Sequence, residues 1–165
     1  MTPKDQIPVL DATVRWPLGV LGIVLDHHAI SRLLFLDEDT PEVNPRGTAA
    51  KRAVAAVKSY LTNPGKKLRV DIDLQGTEFQ QSVWRALRQL KPGEVISYGA
   101  LAKRLGSGAR AVGNACRHNP VPVLVPCHRV VAKNSMGGFS GKQTGLMMDI
   151  KTWLLAHEGV EISAQ

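Results

Sequence analysis

Apolar and polar positions follow a strand-like pattern early in the chain and a helix-like pattern later. Two apolar runs, Trp16-Pro17-Leu18-Gly19-Val20-Leu21-Gly22-Ile23-Val24-Leu25 and Ile30-Ser31-Arg32-Leu33-Leu34-Phe35-Leu36, flank the linker Asp26-His27-His28-Ala29. Such runs around a short polar linker predict an antiparallel hairpin over residues 13–36, with residues 1–12 as a loose tail. After an acidic loop at residues 37–41, Asn44-Pro45 predicts a helix start, with Asn as cap and Pro in the first turn. That helix runs to about Leu61 and stops at Asn63-Pro64-Gly65. Leu68 to Leu74 alternates apolar and polar residues, the pattern of a half-buried strand. The first half therefore reads as a small antiparallel sheet with one covering helix, and it holds no catalytic constellation.

Gln75-Gly76 marks a boundary, giving an N-terminal domain over residues 1–75 and a mostly helical C-terminal domain over residues 76–165, an α+β class overall. Thr77-Glu78-Phe79-Gln80 spells a capping box. The helix it opens continues through Val83, Trp84 and Leu87 to Leu90, and Pro92-Gly93 then turns the chain. Ser97 caps a second helix, Tyr98 to Leu105, closed by Gly106. A third runs from Ala109 to about His118 and ends before Asn119-Pro120. Helix, glycine-containing turn and helix make a helix-turn-helix. Gly137-Gly138-Phe139-Ser140-Gly141 reads as a flexible loop, and a last helix spans about Met147 to His157.

Composition sharpens this picture. The net charge of +7 is uneven: residues 1–75 carry ten basic and nine acidic side chains, residues 76–165 eleven and five. A polyanionic partner for the second half follows naturally. No apolar run is long enough to span a bilayer and the first residues begin no signal peptide, so a soluble, cytoplasmic protein is expected (nuclear in a eukaryote). The only cysteines, Cys116 and Cys127, suit free thiols in a reducing compartment. His27 and His28 have no cysteine near them and read as solvated turn residues, with no metal expected.

The chemistry concentrates in residues 119–131, Asn-Pro-Val-Pro-Val-Leu-Val-Pro-Cys-His-Arg-Val-Val. Its three prolines argue against a central strand and for an extended, buried, rigid segment. Cys127 stands beside two potentially cationic residues, His128 and Arg129, a setting that activates a thiol. In an extended chain adjacent side chains diverge, so contact between Cys127 and His128 needs a local bend. On the third helix, Arg110, Gly113, Asn114 and Arg117 share one face, flanked by Ala109 and Ala111, while Val112, Ala115 and Cys116 share the other. Small residues with two cations give a slim face suited to a minor groove only about 6 Å wide. Glu158 lies at the C-terminal end of the last helix, where the macrodipole disfavours a carboxylate, and is the candidate to orient a histidine.

Pro126-Cys127-His128-Arg129-Val130 resembles the active-site motif of the O6-alkylguanine-DNA alkyltransferases, and Leu154-Leu155-Ala156-His157-Glu158-Gly159 resembles their C-terminal motif. The resemblance covers residues 77–159. In the first half only the Trp16-Pro17-Leu18-Gly19 turn is familiar.

The resemblance implies a ribonuclease H-like N-terminal domain, a minor-groove recognition helix, and Arg110 replacing an extruded nucleotide in the base stack. It implies Cys127 as nucleophile and His128 as general base through a bridging water, with Glu158 holding the histidine. Tyr98 then helps rotate the nucleotide and protonates the leaving guanine. Asn119 ties the recognition helix to the active-site segment, Ser140 hydrogen-bonds the flipped base, and Val130 lines the substrate pocket. The implied activity is irreversible, single-turnover transfer of an alkyl group from O6-alkylguanine, and from O4-alkylthymine, in duplex DNA. No cofactor is needed, and the partner is double-stranded DNA carrying alkylated bases, bound by a monomer. Some members hold a structural zinc in the first half, where this chain has no cysteine. The interval from Cys127 to Glu158 is a few residues longer than the family pattern, the excess lying in residues 142–150. Two other readings remain: an alkyltransferase-like protein that binds lesions without reacting, in which the cysteine is usually Trp, and a Cys-His hydrolase, which places the two residues far apart in sequence.

Overall fold

The computed structural model describes residues 7–133, 135–139 and 145–161. Two compact units form, Met1–Asp73 and Leu74–Gln165.

In the first unit, strands β1 (Ala12–Trp16), β2 (Gly19–Asp26) and β3 (Ala29–Leu36) make an antiparallel meander in the order β1-β2-β3. The expected hairpin is thus one strand short. The long apolar run from Trp16 breaks at Pro17-Leu18, so Trp16 pairs with Gly19 across a tight turn. Gly19 has φ +132°, and a Cβ there would lie 2.5 Å from the Leu36 carbonyl oxygen, so only glycine fits the corner. Alternation along β1 buries Ala12, Val14 and Trp16.

Helix α1 (Gly47–Thr62) buries Ala50, Ala53, Val54, Ala56, Val57 and Tyr60. It starts later than expected. Thr13 and Val43 exchange hydrogen bonds, Thr13 N–H to the Val43 carbonyl (3.0 Å) and Val43 N–H to Thr13 Oγ1 (2.9 Å). The chain is still tied beside β1 there, so Asn44 and Pro45 precede the helix, and Gly47, at φ +82°, makes the corner into it. Arg46 is the N-cap and supplies no side-chain hydrogen bond. Residues 68–74 also differ from expectation. Burial alternates only from Leu68 to Ile72, and the stretch forms one parallel bridge, Ile30 to Ile72, and no strand.

The second unit holds helices α2 (Glu78–Gln89), α3 (Tyr98–Arg104), α4 (Ala109–Arg117) and α5 (Leu146–His157), with strands β4 (Ile96–Ser97) and β5 (Val130–Val131). The Thr77–Gln80 capping box forms in both directions, at 3.1 and 3.0 Å. Ser97 Oγ accepts from Ala100 N–H at 3.0 Å. Gly106 turns the chain at φ +64° between α3 and α4. Trp84, buried on α2, donates from Nε1 to the Ala115 carbonyl of α4 at 2.9 Å, fixing α4 to α2. Strands β4 and β5 pair in parallel, Ile96 with Val130 and Ser97 with Val131. That pair brings Tyr98, the first residue of α3, beside the segment that follows Cys127. No described helix is long and apolar enough to cross a membrane.

Candidate active site

Residues 121–130 are all buried, as expected, but they are wound into turns rather than extended. Val125 N–H bonds to the Val121 carbonyl at 2.9 Å, and Val123 takes φ +76°, a rare conformation for a β-branched residue. Pro126, at φ −83° and ψ 68°, makes an inverse γ-turn closed by Cys127 N–H to the Val125 carbonyl at 2.8 Å. Cys127–Arg129 then form one 3₁₀ turn. The proline ring already restricts φ to the value this turn needs. The bend required between Cys127 and His128 is therefore built into the backbone.

Asn119 clamps this winding. Its Nδ2 donates to the Val125 carbonyl at 2.7 Å, and its Oδ1 accepts from Val121 N–H at 3.0 Å. Since Asn119 follows His118, the C-cap of α4, the clamp ties the end of that helix to the cysteine segment.

His128 is fully buried, and its Nε2 lies 2.7 Å from Glu158 Oε2. Arg129 grips the same carboxylate twice, Nε to Oε1 at 2.8 Å and Nη2 to Oε2 at 2.9 Å. Its Nη1 donates to the Leu90 carbonyl at the end of α2, at 2.5 Å. A carboxylate gripped by a guanidinium stays ionised and only accepts. The imidazole proton is thereby assigned to Nε2, which leaves Nδ1 with its lone pair. Nδ1 is buried and has no hydrogen-bond partner among the described residues. Burial lowers the His128 pKa below its ordinary value, against the opposing pull of Glu158, so the ring is neutral near pH 7.

The cationic setting of the thiol differs from the sequence expectation. His128 is neutral and Arg129 is turned to Glu158. Burial pushes the Cys127 thiol up to about 11, opposed first by the Asn119 side chain and then by the charge of Lys151. Lys151, on α5, is fully buried and is a residue the sequence reading missed. Its Nζ donates to the carbonyls of Val130 (2.8 Å), Met136 (2.5 Å) and Gly138 (2.9 Å) and sits 5.9 Å from the centre of the Tyr98 ring. A lysine in the middle of an apolar helical stretch, Ile150-Lys151-Thr152-Trp153-Leu154-Leu155, was the available signal. Arg129 was missed as the partner of Glu158. Its signal was the same C-terminal placement that singled out Glu158, because a carboxylate at a helix end needs a compensating cation.

Tyr98 is half-buried, with its hydroxyl donating to the Gly138 carbonyl at 3.4 Å, and burial raises its pKa. Gly137 packs against the ring: at φ +72°, a Cβ there would meet Tyr98 at 3.0 Å and the Ala132 nitrogen at 3.1 Å. Val130 is buried in β5, three residues from Cys127. On α4, Ala109, Arg110, Ala111, Asn114 and Arg117 are exposed, while Val112, Ala115 and Cys116 are buried. Gly113 is half-buried beside the Tyr98 ring rather than open on the outer face. Burial raises the Cys116 thiol, which keeps it protonated. Ser140 lies outside the described residues, as do residues 141–144 of the lengthened interval.

His27 and His28 are exposed in the β2–β3 turn. Among the described residues, no group of three or more His, Cys, Asp or Glu is placed to hold a metal ion. Two surface cavities of about 490 and 470 Å³ lie in the first unit, both bordered by Arg52, Leu68 and Arg69; His28 borders the larger, and neither is lined by a residue expected to act in transfer or DNA binding.

The family described as 6-O-methylguanine DNA methyltransferase, DNA binding domain, matches residues 78–160. A methylated-DNA–protein-cysteine methyltransferase of Mycolicibacterium paratuberculosis is 38% identical over 156 residues, covering 88% of this chain and 90% of the relative. The constitutive enzyme of that name from Bacillus subtilis is 35% identical over 159 residues, covering 90% and 94%. Among solved structures, Mycobacterium tuberculosis O6-methylguanine methyltransferase superposes with a TM-score of 0.72 at 37% identity, covering 88% of this chain and 90% of that one. The Mycobacterium tuberculosis protein OGT in complex with DNA gives 0.71 at 35%, with the same coverage. The chain therefore belongs to the methylated-DNA–protein-cysteine methyltransferase family.

Proposed function

We propose that this protein repairs DNA directly, by moving an alkyl group from the O6 of guanine, and from the O4 of thymine, onto Cys127. The observation that carries the reading is the buried chain Arg129–Glu158–His128, which holds a neutral imidazole one residue from the thiol and leaves Nδ1 free to accept a proton. His128 Nδ1 takes the Cys127 proton through a water, and Glu158 stabilises the imidazolium that forms. The thiolate attacks the alkyl carbon. The S–C bond forms as the C–O6 bond breaks, the electron pair stays on guanine, and Tyr98 supplies the proton that restores the neutral base. A thioether has no ready leaving group, so each molecule reacts once.

A base stacked in duplex DNA cannot reach a buried thiol, so the lesion must be extruded. Arg110, exposed at the second position of α4, fills the gap, while Ala109, Ala111, Asn114 and Arg117 lie along the minor groove. Asn119 and Gly113 hold α4 to the site from behind, and Val130 and Ser140 contact the flipped base. The C-terminal unit thus carries DNA binding and transfer as a monomer, in a reducing compartment such as the cytoplasm. The test uses a duplex whose restriction site is blocked by O6-methylguanine. Wild-type protein restores cleavage with a yield set by the moles of protein added, and Cys127→Ser binds the duplex without restoring cleavage. Restoration by Cys127→Ser sinks the reading.

A further inference from the structure

We propose that the first unit carries its own site for the phosphodiester backbone of duplex DNA, a basic groove between α1 and residues 66–71 that acts in addition to the α4 face. The proposal rests on duplex DNA being the partner of this protein, and it adds a second place where that partner is held. Seven of the ten Lys and Arg residues of the first unit fall in residues 43–70, a stretch with no Asp or Glu. The near-neutral total of the unit therefore hides a segregation of charge, since its nine carboxylates lie before that stretch or just after it.

Folding turns the stretch into two walls. Helix α1 supplies Arg52 among the small residues Ala49, Ala55 and Ala56, and the chain that returns beside it supplies Lys66, Lys67 and Arg69. The two cavities adjoin at Arg52, Leu68 and Arg69, which border both, so they make one groove along the helix. Its α1 wall runs from Thr48 to Ser59, about 16 Å at the helical rise of 1.5 Å per residue. All four cations are exposed, and none has an ion pair or a side-chain hydrogen bond among the described residues. Among the described residues, Asp71 is the one carboxylate that borders the groove.

The placement of the charges selects the partner. They stand along both walls and do not converge on one point, so a small anion would meet only part of them. B-DNA carries one phosphate per about 3.4 Å along each strand, so the groove faces about five phosphates of one strand. No Phe, Tyr or Trp borders it, which removes the stacking platforms that hold single-stranded bases. Flexible cations beside alanines suit a phosphate ridge, a contact that positions a duplex without reading its sequence. An acidic peptide offers the same sign of charge, but the polyanion this protein already engages through α4 is the duplex.

The experiment uses the full-length protein and a fluorescent duplex without a lesion, with binding followed by anisotropy between about 50 and 200 mM salt. The groove variant is Lys66→Gln/Lys67→Gln/Arg69→Gln. The control Arg32→Gln/Lys51→Gln/Lys58→Gln removes the same charge from exposed positions of the same unit that border neither cavity. Each is also made in an Arg110→Ala/Arg117→Ala background, so that binding is read with the α4 face weakened. A phosphate contact contributes about 0.9 to the slope of log affinity against log salt. The groove variant should therefore lose about 2–3 from that slope and bind about tenfold or more weakly at the lowest salt, in both backgrounds, while the control loses less than about 1.

Equal losses in the groove and control variants overturn the proposal, because net charge alone then explains them. An unchanged slope in the groove variant overturns it as well. If the groove variant fails to fold by circular dichroism, Lys67→Gln and Arg69→Gln decide singly, each expected to remove about 1 from the slope, and no change in either overturns the proposal. Labelled poly-glutamate that binds wild type and not the groove variant, with duplex binding the same for both, gives the groove to an acidic polypeptide and overturns the duplex assignment. Wild-type protein that binds no duplex contradicts the DNA reading itself, whereas a groove variant indistinguishable from wild type contradicts this proposal alone.

Discussion

Glu158→Gln should cost stability as well as activity. The carboxylate accepts one hydrogen bond from His128 and two from Arg129, all at 2.7–2.9 Å and all buried. An amide retains one oxygen and turns an NH₂ toward at least one of those donors. It also leaves the Arg129 guanidinium, 6% exposed, without its counter-charge. Removing one member of a buried ion pair costs about 3–5 kcal/mol, against a total stability on the order of 5–15 kcal/mol. The unfolding midpoint should fall by roughly 10 °C. Transfer to O6-benzylguanine should slow by about 10²–10⁴-fold, because the imidazolium loses its stabilising carboxylate. The two losses separate in the double variant Glu158→Gln/Arg129→Met. Deleting the stranded cation should restore most of the stability, short of the Arg129 bond to Leu90, and none of the rate. Urea unfolding and single-turnover kinetics on the four members of the cycle decide. A Glu158→Gln protein within about 1 kcal/mol of wild type refutes the charge argument. A double variant with wild-type rate removes Glu158 from the chemistry.

Three further outcomes follow from the geometry. Arg110→Ala should slow transfer from duplex DNA by on the order of a hundredfold at saturating DNA while leaving O6-benzylguanine nearly untouched, since only the duplex reaction needs a wedge; equal slowing on both substrates contradicts the assignment, and full recovery at saturation reduces Arg110 to a phosphate contact. Because the His128 pKa is lowered, the rate on free base should hold steady down through pH 7 and fall only below the ordinary histidine range, when the ring takes a proton and no longer accepts one. Folding stability should fall in the window just above that one, as pH drops from the ordinary histidine range toward the lowered pKa of the folded ring, since there the unfolded chain binds a proton that the folded chain does not; pH-resolved urea curves that rise toward acid contradict the assignment. His27→Gly with His28→Ala should leave transfer unchanged and raise stability by a few tenths to about 1 kcal/mol, because His27 holds φ +56° at a steric cost glycine does not bear; metal in the purified wild type, or a marked loss of stability in the variant, shows a site that was missed.

The elements written in local chemistry were legible from the chain. Thr77 and Gln80 form the expected capping box, and Ser97 caps α3. Glu158 was found because it broke a helix-end rule, and the structure supplies the reason in Arg129. Long-range geometry was harder to read. The Asn44-Pro45 start failed because Thr13 holds Val43 beside β1, a pairing across 30 residues that no local signal carries. Residues 68–74 have the alternation of a strand but receive a partner at Ile72 alone. Three prolines correctly excluded a central strand at residues 119–131, yet the same φ restriction permits tight turns as readily as an extended chain. Lys151 was hidden because its acceptors are backbone carbonyls, which sequence does not distinguish.

The central claim is that Cys127 is the acceptor and is used once. Full-length protein mixed with a molar excess of duplex carrying O6-methylguanine should gain the mass of a single methyl group on every molecule. Peptide mapping should place that methyl on Cys127, with Cys116 unmodified. Methyl on Cys116, an unchanged protein mass with repaired DNA, or more repaired guanine than protein would each contradict it.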